Sequence, residues 1–261
     1  MKIIVLVKQV PDTSEISVDK ETGTLIRTGI PSIINPDDLA GLEEALQLKD
    51  QLQATVCVVT MGPPQAEAML RECLAMGADE AVLISDAKFA GADTWATSNT
   101  LASALKKLPY DIIIAGRQAI DGDTAQVGPQ VAEKLQIPQV TCIEEIMEVK
   151  DTSLVVKKAY DDHSEIVETA LPCLLTTMAS MNQPRFMNCK DIWTAFDKTI
   201  PILKFEDLDL KPEQVGLQGS PTSVKRTFTK DITTKTETYT LEPDAAAKLI
   251  ADVLREKQLW H

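Results

Sequence analysis

Aromatic side chains are scarce in this chain of 261 residues, at 4%, so there is little material for the stacking platforms that hold single-stranded nucleic acid. Basic residues are in deficit too: 26 Lys and Arg face 39 Asp and Glu, a formal net charge of −13. Phosphate backbones are bound by clustered Lys and Arg, so this balance argues against a nucleic-acid partner. Histidine occurs only at His163, in the turn Asp161-Asp162-His163-Ser164, and at His261. Neither sits in a strand-end loop, which makes Ser-His-Asp and Cys-His devices poor candidates, and both read as solvated surface residues. Cys57, Cys73, Cys142, Cys173 and Cys189 form no CxxC; buried, reduced thiols fit this spacing better than a disulfide framework or a zinc site. There is no GxG, hence no GxGxxG fingerprint, and no GxxxxGK[ST] phosphate loop. No apolar run approaches the roughly 20 residues that span a bilayer, and the first apolar stretch is short for a secretory signal. A cytoplasmic protein without membrane insertion is expected.

What is present is a globular composition, 44% apolar and 25% charged, long enough to build a core without staples. Residues 3–7 and 55–60 are continuous runs of β-branched and apolar residues, the mark of strands buried on both faces. Between them, Asn35-Pro36-Asp37-Asp38 opens an apolar stripe through Leu39, Leu42, Ala45, Leu46, Leu48 and Leu52, with Asn before the run and Pro in its first turn as helix-start signals. The alternation continues: a helix over 65–76 stopped by Gly77, a strand over 81–84, a helix over 94–108 capped by Asp93, a strand over 111–115, and a helix over 124–135 capped by Asp123. β-α-β-α order predicts an open, mostly parallel sheet with helices on both faces, a Rossmann-like α/β fold.

From Gln139 the pattern changes. Residues 152–160, 166–170 and 174–177 read as extended, partly antiparallel strands, whereas Glu144, Glu145 and Glu148 read as a solvated face. Residues 211–240 are polar, and Pro243 then begins an amphipathic helix with Leu249, Ile250, Val253 and Leu254 on one side. The expected division is an α/β domain over 1–200 and a C-terminal arm over 201–261. From the pattern alone, the final helix either packs on another molecule or covers its own sheet.

In open α/β sheets ligands bind at the carboxyl ends of the strands, which nominates residues 8–13, 35–38, 61–64 and 116–128. The last is the most informative: Gly116-Arg117-Gln118-Ala119-Ile120-Asp121-Gly122-Asp123-Thr124-Ala125-Gln126-Val127-Gly128 leaves a buried strand and enters a helix, whose free N–H groups suit a phosphate. Asp121 and Asp123 would repel that phosphate unless they cap the helix or meet ribose hydroxyls. A tight, capped turn without a ligand is the other reading of the same run. No acid–base constellation is present, so the chain looks like one that holds a cofactor and lets the cofactor react.

These residues carry a resemblance. Val7-Lys8-Gln9-Val10-Pro11-Asp12, Asn35-Pro36-Asp37-Asp38, Ala75-Met76-Gly77-Ala78-Asp79, the run from Ala115 to Gly128 and Asn182-Gln183-Pro184-Arg185-Phe186 together resemble the β subunit of electron-transfer flavoproteins, with even spacing from Lys2 to about Arg185. The resemblance implies a heterodimer with an FAD-binding α subunit, on which the C-terminal arm would pack. It implies an adenine-nucleotide site at Leu6, at Asn35, Pro36, Asp37 and Asp38, at Met61, and along Gly116, Arg117, Gln118, Ala119, Ile120, Asp121, Gly122, Asp123, Thr124, Ala125, Gln126 and Val127. It also implies a docking loop for an acyl-CoA dehydrogenase, anchored at Met181 unless that residue belongs to the core.

Asp37 stands where the respiratory branch has an aromatic, and Asp121-Gly122-Asp123 replaces its more acidic turn; both look more like the anaerobic bacterial branch. That branch implies FAD in this subunit, NADH as electron donor, and electron bifurcation toward the dehydrogenase and a low-potential acceptor such as ferredoxin or flavodoxin. Small Thr13 and non-aromatic Asp37 would leave room for an isoalloxazine ring. AMP in a simple carrier is the alternative. An adenylating or ATP-hydrolysing enzyme would need a Gly- and Ser-rich loop where Lys8-Gln9-Val10-Pro11-Asp12 stands, and a stress-type nucleotide-binding protein would lack the long arm.

Overall fold

The computed structural model describes residues 1–12, 17–18, 25–26, 31–223 and 237–259. In chain order its elements are β1 (Lys2–Leu6), β2 (Gln9–Pro11), β3 (Ser17–Val18), β4 (Leu25–Ile26), β5 (Ser32–Ile34), α1 (Pro36–Leu52), β6 (Thr55–Met61), α2 (Ala66–Met76), β7 (Glu80–Ile84), α3 (Thr94–Leu105), β8 (Ile112–Gly116), α4 (Val127–Leu135), β9 (Gln139–Val149), β10 (Ser153–Ala159), β11 (Ser164–Ala170), β12 (Cys173–Thr177), α5 (Cys189–Thr194), β13 (Ile202–Leu203) and α6 (Pro243–Glu256). They fall into two compact units, Met1–Lys225 and Arg226–His261.

In the first unit, nine described strands form one sheet in the order β11-β10-β9-β12-β8-β1-β6-β7-β13. Every neighbouring pair from β9 to β13 is parallel, and β10 runs antiparallel to both β9 and β11. The α/β fold read from the sequence is therefore the one observed.

Successive residues of a strand point to opposite faces, and the central strands are apolar on both. Ile3, Val5, Val56, Val58, Ile112 and Ile114 meet Leu42, Leu46, Leu70 and Leu74 of α1 and α2. Ile4, Cys57, Val59, Ile113 and Ala115 meet Leu101, Leu105 and Val131 of α3 and α4 on the other face. The expected stop at Gly77 is present, with φ 127°, and so is the expected cap at Asp93, whose carboxylate accepts from Ala96 N at 3.0 Å.

Three features differ from the sequence reading. The helix expected from Thr124 starts at Val127 instead, because Asp123 and Ala125 hold left-handed backbone, φ 47° and 51°, which a right-handed helix cannot include. Asp123 is consequently not its cap; its carboxylate accepts from Gln118 Nε2 at 3.0 Å. Second, residues 139–149 form a strand, β9, that the sequence reading did not include; the expected solvated face is there, with Glu145 and Glu148 exposed and Glu144 paired with Lys157 Nζ across the ladder at 3.0 Å. Third, the start of the expected arm belongs to the first unit. Ile202 and Leu203 pair with Leu83 and Ile84 of β7, and Leu208 and Val215 are buried against the α3 and α4 face.

In the second unit the expected helix is α6, started by Pro243 at its first position. It buries none of its residues, and Ile250 remains 60% exposed. An apolar stripe left this open is the kind that packs on a partner.

Candidate nucleotide-binding cleft

The strand order reverses beside β1: β6 and β7 lie on one side of it, β8 and β12 on the other. Such a switch point leaves a crevice outside the carboxyl ends of the strands, and a cleft of about 840 Å³ lies there. Leu6 lines it from β1 and Lys8 from the segment after it, Met61 from β6, and Gly116 from β8. Of the expected residues, Asp38, Arg117, Gln118, Ala119, Gly122, Asp123, Thr124, Ala125, Gln126 and Val127 also reach its wall. Asn35, Pro36, Asp37, Ile120 and Asp121 are not among the lining residues; most of them serve the site from behind. Thr13 lies outside the described residues.

Asn35 precedes α1 yet makes no side-chain cap. Wholly buried, it donates from Nδ2 to Gln118 O at 2.8 Å and accepts at Oδ1 from Ile120 N at 3.1 Å. One amide thus satisfies two backbone groups of the 116–127 loop and sets its height over the sheet.

Asp38 fastens the strand ends beneath that loop. Its Oδ2 accepts from Lys8 N at 2.7 Å and its Oδ1 from Gly116 N at 2.9 Å. Burial pushes this carboxyl up to about 7; the Asn35 side chain and the two backbone N–H groups pull against that rise, and Asp37 adds to it. Asp37 turns the other way, accepting from Ala179 N at 2.8 Å. Its Oδ2 lies 3.6 Å from Arg117 Nε, and neither of these buried atoms has a hydrogen-bond partner. The two form an ion pair too long for a hydrogen bond, which holds the Arg117 guanidinium beside the cleft.

The carboxylates that would repel a phosphate are engaged. Asp121 accepts from Lys8 Nζ at 2.6 Å, which clamps the loop to the end of β1, and Asp123 is bonded to Gln118. At the far end of the loop, Val127 and Gly128 open α4, and their N–H groups have no partner within the helix; Pro129 has no N–H to offer. Apolar strand ends, free backbone donors and one arginine suit an adenine nucleotide held chiefly by main-chain groups.

The opposite wall escaped the sequence reading. Phe89, Asp93, Thr94 and Thr97, from the end of β7 into α3, line it together with Thr222. The rule that nominated the other loops covers this one as well, since it too leaves the carboxyl end of a parallel strand.

Met181, the expected docking anchor, is partly buried and packs against the core. Asn182 donates to Glu44 Oε2 at 2.8 Å. Arg185 grips the buried Glu43 with two nitrogens, Nε to Oε2 at 2.9 Å and Nη2 to Oε1 at 3.0 Å. The Asn182-Gln183-Pro184-Arg185 motif thus binds its segment to α1. The exposed apolar side chains come after it: Phe186 is 97% and Trp193 79% exposed.

The electron transfer flavoprotein domain model matches residues 22–208. The chain is 52% identical over 257 residues to an electron transfer flavoprotein subunit beta of Clostridium acetobutylicum, covering 98% of this chain and 99% of that protein. It is 54% identical over 230 residues to the caffeyl-CoA reductase-Etf complex subunit CarD of Acetobacterium woodii, covering 87% of each. Against the acryloyl-CoA reductase electron transfer subunit gamma of Anaerotignum propionicum it is 47% identical over 237 residues, 88% of each. With a mostly parallel sheet, a cleft at its switch point and likeness along almost the whole chain, the protein belongs to the electron transfer flavoprotein family, as a β subunit.

Proposed function

We propose that this β subunit is the NADH-facing half of a bifurcating electron transfer flavoprotein, and that its cleft holds FAD. When bound, FAD supplies a hydride acceptor for NADH and a relay toward the FAD of the α subunit, an acyl-CoA dehydrogenase and a ferredoxin or flavodoxin. The observation that carries this reading is the disposition of Asp37 and Asp38. A carboxylate aimed into the cleft would disfavour a reduced, anionic flavin, yet Asp37 is turned toward Ala179 and Arg117, and Asp38 is occupied by two backbone N–H groups. Two relatives named for acyl-CoA reductase systems support the same direction. The chain's own work is to orient: Asn35 and Lys8 fix the loop, free N–H groups meet phosphate, and Arg117 adds positive charge beside the ring or pyrophosphate.

Anaerobic addition of NADH to the heterodimer tests this. Bleaching of the flavin bound by this chain is expected; a heterodimer whose only flavin is in the α subunit, unreduced by NADH, would make it a simple carrier with AMP.

Docking of the dehydrogenase falls to Phe186 and Trp193, since Met181 is packed inward. Exposed aromatics anchored on a pinned segment are the residue types that dominate interfaces. Phe186→Ala with Trp193→Ala should slow electron delivery to the dehydrogenase roughly tenfold or more and leave NADH-driven reduction unchanged. Unaltered partner kinetics would remove this surface from the account.

A further inference from the structure

The segment that carries the exposed aromatics is fastened at both of its ends, by two arginines far apart in sequence. At its start, Arg185 adds to its two bonds with Glu43 a third, from Nη1 to Asp50 Oδ2 at 3.0 Å. Glu43 and Asp50 lie two turns apart on α1, so the guanidinium lies along one side of that helix. At its end, Arg71 of α2 donates from Nη1 to Ala195 O at 2.5 Å and to Lys198 O at 2.6 Å. One turn earlier on α2, Glu67 Oε1 accepts from Arg71 Nε at 3.3 Å and from Nη2 at 2.7 Å, which fixes the direction of the fork. Lys198 Nζ donates in turn to Ala78 O at 2.8 Å, and Ala195 is buried in the core with Ile200 packed against it.

Between these two clips residues 186–194 are displayed. α5 buries none of its six residues, and a helix so short does not hold its shape by itself. Its ends are set from outside: Asn188 Oδ1 accepts from Asp191 N at 2.8 Å, and Arg71 takes up the carbonyl of Ala195 that follows its last residue. The Arg71 guanidinium also lies 5.8 Å from the centre of the exposed Phe196 ring. α1 and α2 pack on the same face of the sheet, so the two clips belong to one frame.

We infer that Arg71 and Arg185 are positioning residues for electron delivery, holding the segment from Phe186 to Trp193 in the shape that a partner's apolar pocket receives. An interface loop that must be ordered on binding loses affinity for every side chain it immobilises, and one held in shape beforehand avoids that loss. The inference rests on the reading of Phe186 and Trp193 as the docking surface and adds what keeps that surface formed. Arg71 is not among the residues that line the cleft, so its removal should act on docking alone.

The test uses the heterodimer and an acyl-CoA dehydrogenase. In Arg71→Gln, amide hydrogen exchange over 186–194 should rise roughly tenfold, with β1, β6 and β8 exchanging as in the wild type. The KM for the dehydrogenase should rise roughly five- to tenfold, with kcat and flavin reduction by NADH unchanged. Glu67→Gln leaves Arg71 in place but loosens it; it should move both quantities the same way by less, and it decides the matter if Arg71→Gln does not fold. Added to Phe186→Ala with Trp193→Ala, Arg71→Gln should raise KM no further, because the clip acts through those side chains. Faster exchange over 186–194 with KM at the wild-type value would overturn the clip, and so would exchange raised equally in the core strands. If the aromatic variant is slow while Arg71→Gln and Glu67→Gln match the wild type, the clip falls and the docking surface stands. If the aromatic variant itself delivers electrons as the wild type does, both fall.

Discussion

Gly116→Ala is expected to empty the cleft. The new Cβ would lie 2.1 Å from Asp38 Oδ1, 2.8 Å from Asp38 N and 2.9 Å from Asp37 Cβ, so the helix start and the strand end cannot both stay where they are. Overpacking of this kind costs about 1–3 kcal/mol and sometimes more, and the strain falls on the joint that sets the 116–127 loop. The variant should purify with less than roughly a tenth of the wild-type nucleotide, a factor equivalent to about 1.4 kcal/mol of binding, and still unfold cooperatively. Gly122→Ala is the control from the same loop: nothing stands within 4 Å of its Cβ, so nucleotide content should be unchanged. Equal content in the two variants would show that the Asp38–Gly116 joint does not govern the site.

Asp38 should also leave a signature in the pH dependence of stability. Its carboxyl is raised by burial from 3.8 to about 7 in the folded chain. Below about pH 4 the group is protonated in both folded and unfolded states and contributes no slope. Between about 4 and about 7 the unfolded chain has lost the proton while the folded chain keeps it, so folding stability falls as pH rises, by at most about 1.4 kcal/mol per unit. Above about 7 both states are ionised and the loss is complete. Asp38→Asn removes the titration and places an amide against one of the N–H groups of Lys8 and Gly116, a cost of about 1–3 kcal/mol that does not vary with pH. Urea unfolding across this window should show the wild type losing stability relative to Asp38→Asn as pH rises. Parallel curves would mean that Asp38 does not titrate there.

Much of this was legible from residue order because the central strands are buried on both faces. Ile3, Ile4 and Val5 have no polar face to show, and a strand of that kind, followed by a loop and an apolar stripe, specifies a parallel sheet with the site at its mouth. The 116–127 run could be found because it follows such a strand directly. What was not legible depends on distant partners. Asn35 before Pro36 carries the local marks of a helix cap, but Gln118 and Ile120 supply better bonds from 83 and 85 residues away. The start of α4 is hidden because the left-handed backbone of Asp123 and Ala125 has no glycine to mark it. β9 is hidden because its glutamates face solvent or pair with Lys157 of β10, which masks the alternation. The Asp93–Thr222 wall joins residues 129 apart, and no local pattern in a polar tail announces such a contact. Met181 and Phe186 differ in the same way: both are apolar, and only packing tells which one faces outward.

The central claim is that this chain itself holds a flavin. Acid release of the ligand from the purified chain, with identification and quantification by mass, tests it most directly. FAD at close to one per chain is the expected result; AMP at one per chain with no flavin would contradict it.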